Sequence, residues 1–412
     1  MNKKITLILL LIATLSFGQS KLDFLKENRF DLHNQNFDFP ENNFKIIGFG
    51  ALHGSAKTYV AEIKLIENLQ RRNLIDFYVP ETNFSQAFFF QKYLETGDIN
   101  LLEELVLAFQ TIVSQEGSIE TFNHWKNLKK LNDQNPIRKI QIIGFDIINE
   151  YKFPIKHLLH LTENITNWEE KNKLTLYFNT VDTNFGLNNK QLQSDLKSFI
   201  ENYYKNKTLY DSQITDTYVF NHIIENILLN FNEKRDREKI IYENYLKLKP
   251  TYDLENKKQF MKYGYFHIQK TREANYPSFF TRLIENEIYK REEIITVMCY
   301  LTKSAVLWDK IYDENKNYKT FTTEKGFGIG DYWKEYFKGI KSLKKSKISD
   351  LTLFKLNLPN SPYNFKTDLV EIKMFLKDYN RTNLKGKNTI QFIDYALLIS
   401  NSEPQKQIEE MR

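Results

Sequence analysis

Short β-rich runs alternate with amphipathic helical stretches along most of this chain, and that alternation limits the folds open to it. The runs are Phe44–Gly50, Asp76–Pro80, Lys139–Phe145, Phe260–His267, Ile294–Leu301, Leu351–Leu356 and Phe392–Ile399. Runs of this length, rich in Ile, Val, Phe and Tyr, are the signature of buried strands. Between them the apolar spacing changes to three. Val60, Ile63, Ile66 and Leu69 lie three apart within Ala56–Arg72 and mark one helix face. Ser85–Thr96, Ile119–Asn132, Asn189–Tyr204, Asp216–Asn230 and Lys234–Leu248 read in the same way. Strand–helix alternation predicts an α/β fold with a mostly parallel central sheet flanked by helices. From about 152 to 232 no strand-like run interrupts the helices, so this stretch reads as a helical insertion on the same core.

Composition excludes several other classes. With 41% hydrophobic and 15% aromatic residues among 412, the chain can bury a large core and is not an intrinsically disordered one. A single Cys, Cys299 in the apolar run IITVMCYL, leaves no intrachain disulfide and reads as a small buried hydrophobe. The 58 Lys and Arg against 52 Asp and Glu interleave along the chain, so no nucleic-acid partner is expected. KSLKKSK (Lys341–Lys347) reads as a solvated face, with a short basic surface patch as its alternative.

The N-terminus, MNKKITLILLLIATLSFGQS, has Lys3 and Lys4 before an apolar stretch from Ile5 to Leu15. That stretch is too short to span a bilayer of about 30 Å. With Ser16 and Gly18 following, residues 1–18 read as a signal peptide cut between Gly18 and Gln19. Two Lys leave with it and the mature charge falls from +6 to +4. The expectation is one domain over 19–412, periplasmic or secreted, with no stable membrane insertion after cleavage.

In parallel sheets, function gathers at the carboxyl ends of strands. The first strand runs into Gly50-Ala51-Leu52-His53-Gly54-Ser55, with a helix directly after. The second ends in Pro80-Glu81-Thr82, the third in Gly144-Phe145-Asp146 and the fourth in Tyr265-Phe266-His267. Ser55 and one of Thr82, Asn83 or Ser85 are candidate helix caps. His53, Glu81, Asp146 and His267 thus fall on one edge, more ionisable groups than packing alone explains.

These residues resemble the erythromycin-esterase-like proteins, and more broadly the superfamily that joins them with TraB/Tiki-type and ChaN-type proteins. IIGFGALHGS resembles the family's first strand and His-Gly turn. FYVPETNFSQAFFFQKYLETGD resembles its second strand, Glu and following helix, with Tyr93, Leu94, Gly97 and Asp98 in the motif positions. His124-Trp125 with KNLKKLNDQN, then KIQIIGFD, resembles the Trp helix and the next strand. RDREKIIYENY, with Arg237, Glu238 and Asn244 matching, FMKYGYFHIQK and FIDYALLISNSEP complete a likeness over Phe44 to Pro404. The resemblance implies an erythromycin esterase/ChaN-like fold. It implies a site of His53, Glu81, Arg237 and His267, with Asp146 and Tyr93 toward the substrate. It also exposes a departure. The esterases carry Glu where this chain has Gly50, and Gly50-Ala51-Leu52-His53 has the Gly-x-x-His form of the TraB/Tiki proteins, which are associated with metal-dependent peptidase activity.

Two chemistries fit these residues. A neutral imidazole takes a proton from water near neutral pH, and Arg237 or His267 can donate to a developing oxyanion. No Gly-x-Ser-x-Gly elbow is present, so water and not a serine is the expected nucleophile. This is hydrolysis of an ester in a small-molecule substrate, with no cofactor needed. Alternatively His53, Glu81 and His267 form a two-His, one-carboxylate set suited to a divalent metal. A ligand-binding protein of the iron or haem type and a non-catalytic scaffold are the non-enzymatic readings.

Overall fold

The computed structural model describes residues 20–34, 37–40, 43–111, 113–180, 183–232, 235–312, 314, 318–326, 328–375 and 377–408. The expected signal peptide lies outside them. The architecture is α/β, built on an eight-stranded sheet. Numbered along the chain, its strands are β1 (Arg29–Asp31), β2 (Ile46–Ala51), β3 (Phe77–Val79), β4 (Gln141–Ile142), β5 (Gln259–Gly264), β6 (Ile294–Thr302), β11 (Leu351–Lys355) and β14 (Tyr395–Ser400). Their spatial order is β1-β11-β14-β6-β2-β5-β3-β4. The six strands from β14 to β4 are parallel, while β11 and β1 add an antiparallel edge. A mostly parallel sheet is therefore what the alternation encodes.

The pleat sends successive side chains to opposite faces, and β2 shows why its sequence reads IIGFGA. Ile47, Phe49 and Ala51 enter a core shared with Ala61, Leu65 and Leu69 of α2 (Ala56–Arg71), the helix that follows α1 (Lys21–Glu27) in the chain. Ile46 faces the other core, and Gly48 and Gly50 lie on its side. There a Cβ on Gly48 would sit 2.4 Å from the Phe280 ring, and one on Gly50 would sit 2.4 Å from Met298 Sδ. Small residues at these positions let neighbouring side chains close over the strand.

The first face is covered by α2 and, between β3 and β4, by α3 (Phe84–Thr96), α4 (Ile99–Phe109) and α5 (Ile119–Gln134). Over 152–232 the described elements are helices α6 (Lys152–Leu161), α7 (Glu169–Asn179), α8 (Lys190–Lys205), α9 (Lys207–Asp211) and α10 (Thr217–Leu229), of which α8 and α10 fall where the apolar spacing predicts helices. Ile155, Leu196 and Phe220 from this stretch join Ile46 and Met261 of the sheet in one core. Helix α11 (Arg237–Leu248) then leads to β5, and α12 (Phe279–Glu285) separates β5 from β6.

Three local expectations are corrected. The strand expected over Phe260–His267 stops at Gly264, and the chain turns so that the His267 N–H donates to the Gly264 carbonyl at 3.2 Å. Of Lys139–Phe145 only Gln141–Ile142 pairs. Ser55 does not cap α2 with its own side chain; Ser402 Oγ accepts the Lys57 N–H at 3.0 Å instead. Asn83 does cap α3, accepting from the Gln86 N–H. The sequence reading also missed α4, the hairpin of β7 (Ala305–Tyr312) and β8 (Tyr318–Lys325), and a small sheet of β9 (Asp331–Tyr332), β10 (Glu335–Phe337), β12 (Ile372–Met374) and β13 (Lys377–Asp378). Helix α13 (Ile340–Ser346) stands between β10 and β11.

Candidate functional site

His53 occupies the turn directly after β2. Gly54 makes that turn possible, with φ of +85° and its Cα pressed against β7, where a Cβ would meet the Leu307 carbonyl oxygen at 2.1 Å. Glu81 follows β3, Asp146 follows β4 and His267 follows β5, so all four residues lie at the carboxyl edge. Gly264 ends β5 at the centre of the group. A Cβ there would lie 3.5 Å from His53 Nε2, 3.6 Å from His267 Cδ2 and 3.9 Å from Glu81 Oε2.

Glu81 is the hub. Both imidazoles present Nε2 to its carboxylate, His53 at 3.7 Å and His267 at 3.5 Å. Arg237 Nη2 donates to Oε1 at 2.6 Å and the Gly264 N–H to Oε2 at 2.9 Å. Arg237, in the first turn of α11, also donates through Nε and Nη2 to Asp146 at 2.9 and 2.5 Å. This two-point contact of a planar fork on a carboxylate fixes the guanidinium plane. Burial pushes Glu81 up, but His267, His53 and Arg237 outweigh it and hold its carboxyl at about 2. Opposing that trend, burial alone would lower Arg237; Asp146 and Glu81 raise it.

Each histidine is fixed from behind by an acid. His53 Nδ1 lies 3.0 Å from Glu116 Oε1, in the 3₁₀ turn Ser114–Glu116. Glu116 is buried, which pushes its carboxyl up, yet Lys262 and His53 bring it down to about 2. An ionised carboxylate only accepts, so Nδ1 carries a proton, and a neutral ring held this way turns its Nε2 lone pair toward the site. Lys262 Nζ in turn donates to both Glu116 oxygens at 2.9 and 3.0 Å and to the Tyr59 hydroxyl at 2.6 Å. On the other side His267 Nδ1 is ion-paired with Glu238, whose second oxygen accepts the Phe279 N–H. Burial lowers the His267 pKa, but Glu238 and Glu81 outweigh it and raise it above the usual value, favouring the imidazolium. The group opens to solvent through Arg237 and His53, whose side chains are 32% and 22% exposed, while that of Glu81 is 4% exposed.

No family model and no curated protein matches the chain. Solved structures do. One is a Bacillus cereus protein, 14% identical, with 94% of this chain and 98% of that one covered at a TM-score of 0.61. Another is a succinoglycan biosynthesis protein, 13% identical, with 94% and 97% covered at 0.62. A third is a mutant of the erythromycin esterase EreC in its open conformation, 14% identical, with 91% and 97% covered at 0.55. This is the erythromycin-esterase fold.

Within the erythromycin-esterase-like fold, the departure at Gly50 now has a physical account. The space beside Gly50 is filled by Met298 and Ile268, leaving no room for a carboxylate on that face of β2. The acid beside His53 is Glu116, in a turn whose Gln115 side chain donates to the Trp308 carbonyl of β7. Sequence reasoning missed Glu116 and Lys262, and named Glu238 only as a motif match without a role at the site. Of the two missed, only Lys262 left a signal, as a lone cation inside the otherwise apolar run FMKYG, where a buried charge requires an acid partner.

The structure does not bring Tyr93 into the site. Its side chain is 1% exposed in the core of α3, and its carbonyl accepts the Gly97 N–H at the helix end. Gly97 takes φ +74° there and Asp98 caps α4, so Tyr-Leu-x-x-Gly-Asp serves a helix-to-helix turn. Nor does the set His53, Glu81 and His267 fit a divalent cation. Glu81 already accepts from Arg237 and Gly264, and its neighbours include a guanidinium and a histidine favoured as the cation. Among the described residues no group of three or more His, Cys, Asp or Glu side chains is arranged to hold a metal ion.

Proposed function

We propose that this protein is an exported hydrolase acting on an ester bond of a small molecule, with His53 as general base toward water. The observation that carries this reading is the Glu116–His53 pair. It fixes the tautomer that leaves Nε2 basic, beside two cationic donors. The 3.7 Å between Nε2 and Glu81 is too long for a direct hydrogen bond and suits a water held by both. His53 Nε2 takes a proton from that water as its oxygen attacks the ester carbonyl carbon. Arg237 and the His267 imidazolium donate to the oxyanion that forms. Collapse of the tetrahedral species expels the alkoxide, which takes the proton back from His53, releasing acid and alcohol.

The test is a panel of aryl and alkyl esters and of peptides, each with and without added divalent metal. Ester hydrolysis independent of added metal is expected, with His53→Gln lowering kcat by about 10²–10⁴-fold. Peptide hydrolysis that requires metal, or esterase rates unchanged in His53→Gln, would overturn the reading. Export and processing to a domain over 19–412 rest on the N-terminal charge and apolar pattern. N-terminal sequencing of the secreted protein should begin at Gln19. Among the described residues no helix is long and apolar enough to cross a membrane.

A further inference from the structure

Acidic and basic residues interleave over most of this chain, but one stretch departs from that reading. Residues 328–387 hold 13 Lys and Arg against six Asp and Glu, a balance of +7 in a chain whose total is +6. The remainder is therefore close to neutral. Concentrated like charge opposes compaction and is tolerated where a partner of opposite sign is met. The same stretch supplies the small sheet of β9, β10, β12 and β13.

At one end of that sheet is a cleft of about 590 Å³, lined by Lys338, Phe365, Lys366, Arg381, Lys385 and Lys387 among others. Its one acid, Glu371, is taken up by Lys338 at 2.7 Å and Lys373 at 2.5 Å. Lys366 and Lys385 are exposed and form no ion pair among the described residues. Phe365 stands among these cations with 86% of its surface open, an apolar plate where a solvated basic face needs none. Core packing links the wall of the cleft to the candidate site. Phe337, next to Lys338, packs its ring 5.9 Å from that of Tyr265, and Tyr265 directly follows Gly264. The Leu369 carbonyl ties the same segment to the hydroxyls of Tyr265 and Tyr300.

We propose that this cleft binds an acidic polysaccharide and holds it beside the His53 site. Carboxylates along the polymer meet the lysines, and the C–H face of a sugar ring lies on Phe365. A concave wall of cations around one aromatic ring suits a chain-like polyanion better than a bilayer, which needs a convex apolar face. The exposed rings elsewhere on the small sheet do not supply that face. Trp333 and Phe375 pack edge to face at 5.5 Å, with Lys334 over both.

The test is retention of the full-length mature protein on immobilised polygalacturonate, with neutral dextran and phosphatidylglycerol vesicles as comparison. Retention on polygalacturonate that falls with added salt, and none on dextran, is expected. The double variant Lys366→Glu/Lys385→Glu should weaken it by about 10-fold or more, and Phe365→Ala by about 3-fold. All three side chains are exposed, so the fold is not at stake. A control double variant, Lys130→Glu/Lys139→Glu, makes the same charge change at exposed positions outside the cleft and should leave retention unchanged. Equal loss in both double variants, preference for the vesicles, or no retention would overturn the proposal. Binding requires no turnover, so its failure leaves the hydrolase reading intact.

Discussion

Buried charge stands at both ends of the central sheet, and the two clusters differ in how completely they satisfy themselves. At the amino end of the parallel strands, Lys270 Nζ donates to both Asp394 oxygens at 2.9 and 2.8 Å and to the Ile294 carbonyl at 2.9 Å. Asp394 also accepts from the Thr296 N–H and the Asn357 amide. Each charged group there has its partners in place, and both residues are almost fully buried. At the carboxyl end, Glu81, Arg237, Asp146 and Glu116 are comparably paired. There, however, the two histidine Nε2 atoms stop 3.7 and 3.5 Å short of Glu81, and Arg237 is a third exposed. A closed ionic cluster ties strands together. An open one, with basic and cationic groups turned toward solvent, has capacity left for a ligand. A perturbed charge alone does not mark a site; unspent hydrogen-bonding capacity at an opening does.

Removing one partner should separate the clusters most clearly. Asp394→Ala leaves the Lys270 ammonium buried without its acid and should cost about 3–5 kcal/mol in denaturant unfolding. A loss below about 1 kcal/mol would erase the distinction drawn between the two ends. Arg237→Lys keeps a cation but not the two-point fork, and should lower kcat by about 10²–10³-fold. Its fold should be retained, checked by circular dichroism. Glu116→Gln should cost about 10-fold in kcat, because Nδ1 then no longer faces a charged acceptor.

A separate effect is expected in stability against pH. Glu81 and Glu116 sit at about 2, below an unfolded value of about 4.3. Their contribution is therefore present above pH 4.3 and is lost as pH falls toward 2. His267 is raised above its unfolded value of about 6.5, so its contribution is complete below that pH and is lost as pH rises through the folded value. The denaturant midpoint should peak between about pH 5 and 6, with the shallower decline on the alkaline side. Glu238→Gln should flatten that alkaline decline, and an unchanged slope would remove His267 as its source.

Much of the site could be read from the chain. His53, Glu81 and Asp146 each follow an apolar run directly, and in a parallel sheet such ends share one edge. His267 was legible for the same reason, although the strand stops three residues earlier and a turn completes its approach. Arg237 rested on resemblance, since nothing in a helix's first turn tells which carboxylate it reaches. Glu116 left no trace. It sits in a short loop without periodicity, held by a hairpin that the sequence reading also missed. Tyr93 shows the opposite error, a recurrent motif taken for a site when its Gly and Asp end one helix and begin the next.

The sequence by itself determined the layered α/β architecture, the edge at which polar residues gather and the local excess of positive charge. These depend on side-chain periodicity and on composition, which act over a few residues. The tertiary structure decided which acid faces which histidine. Glu116 is 63 residues from His53 and 146 from Lys262, and Glu81 is 156 from Arg237. Partners so far apart are chosen by how helices and loops pack on the sheet, because a buried charge needs a counter-charge within a few ångströms whatever its distance along the chain.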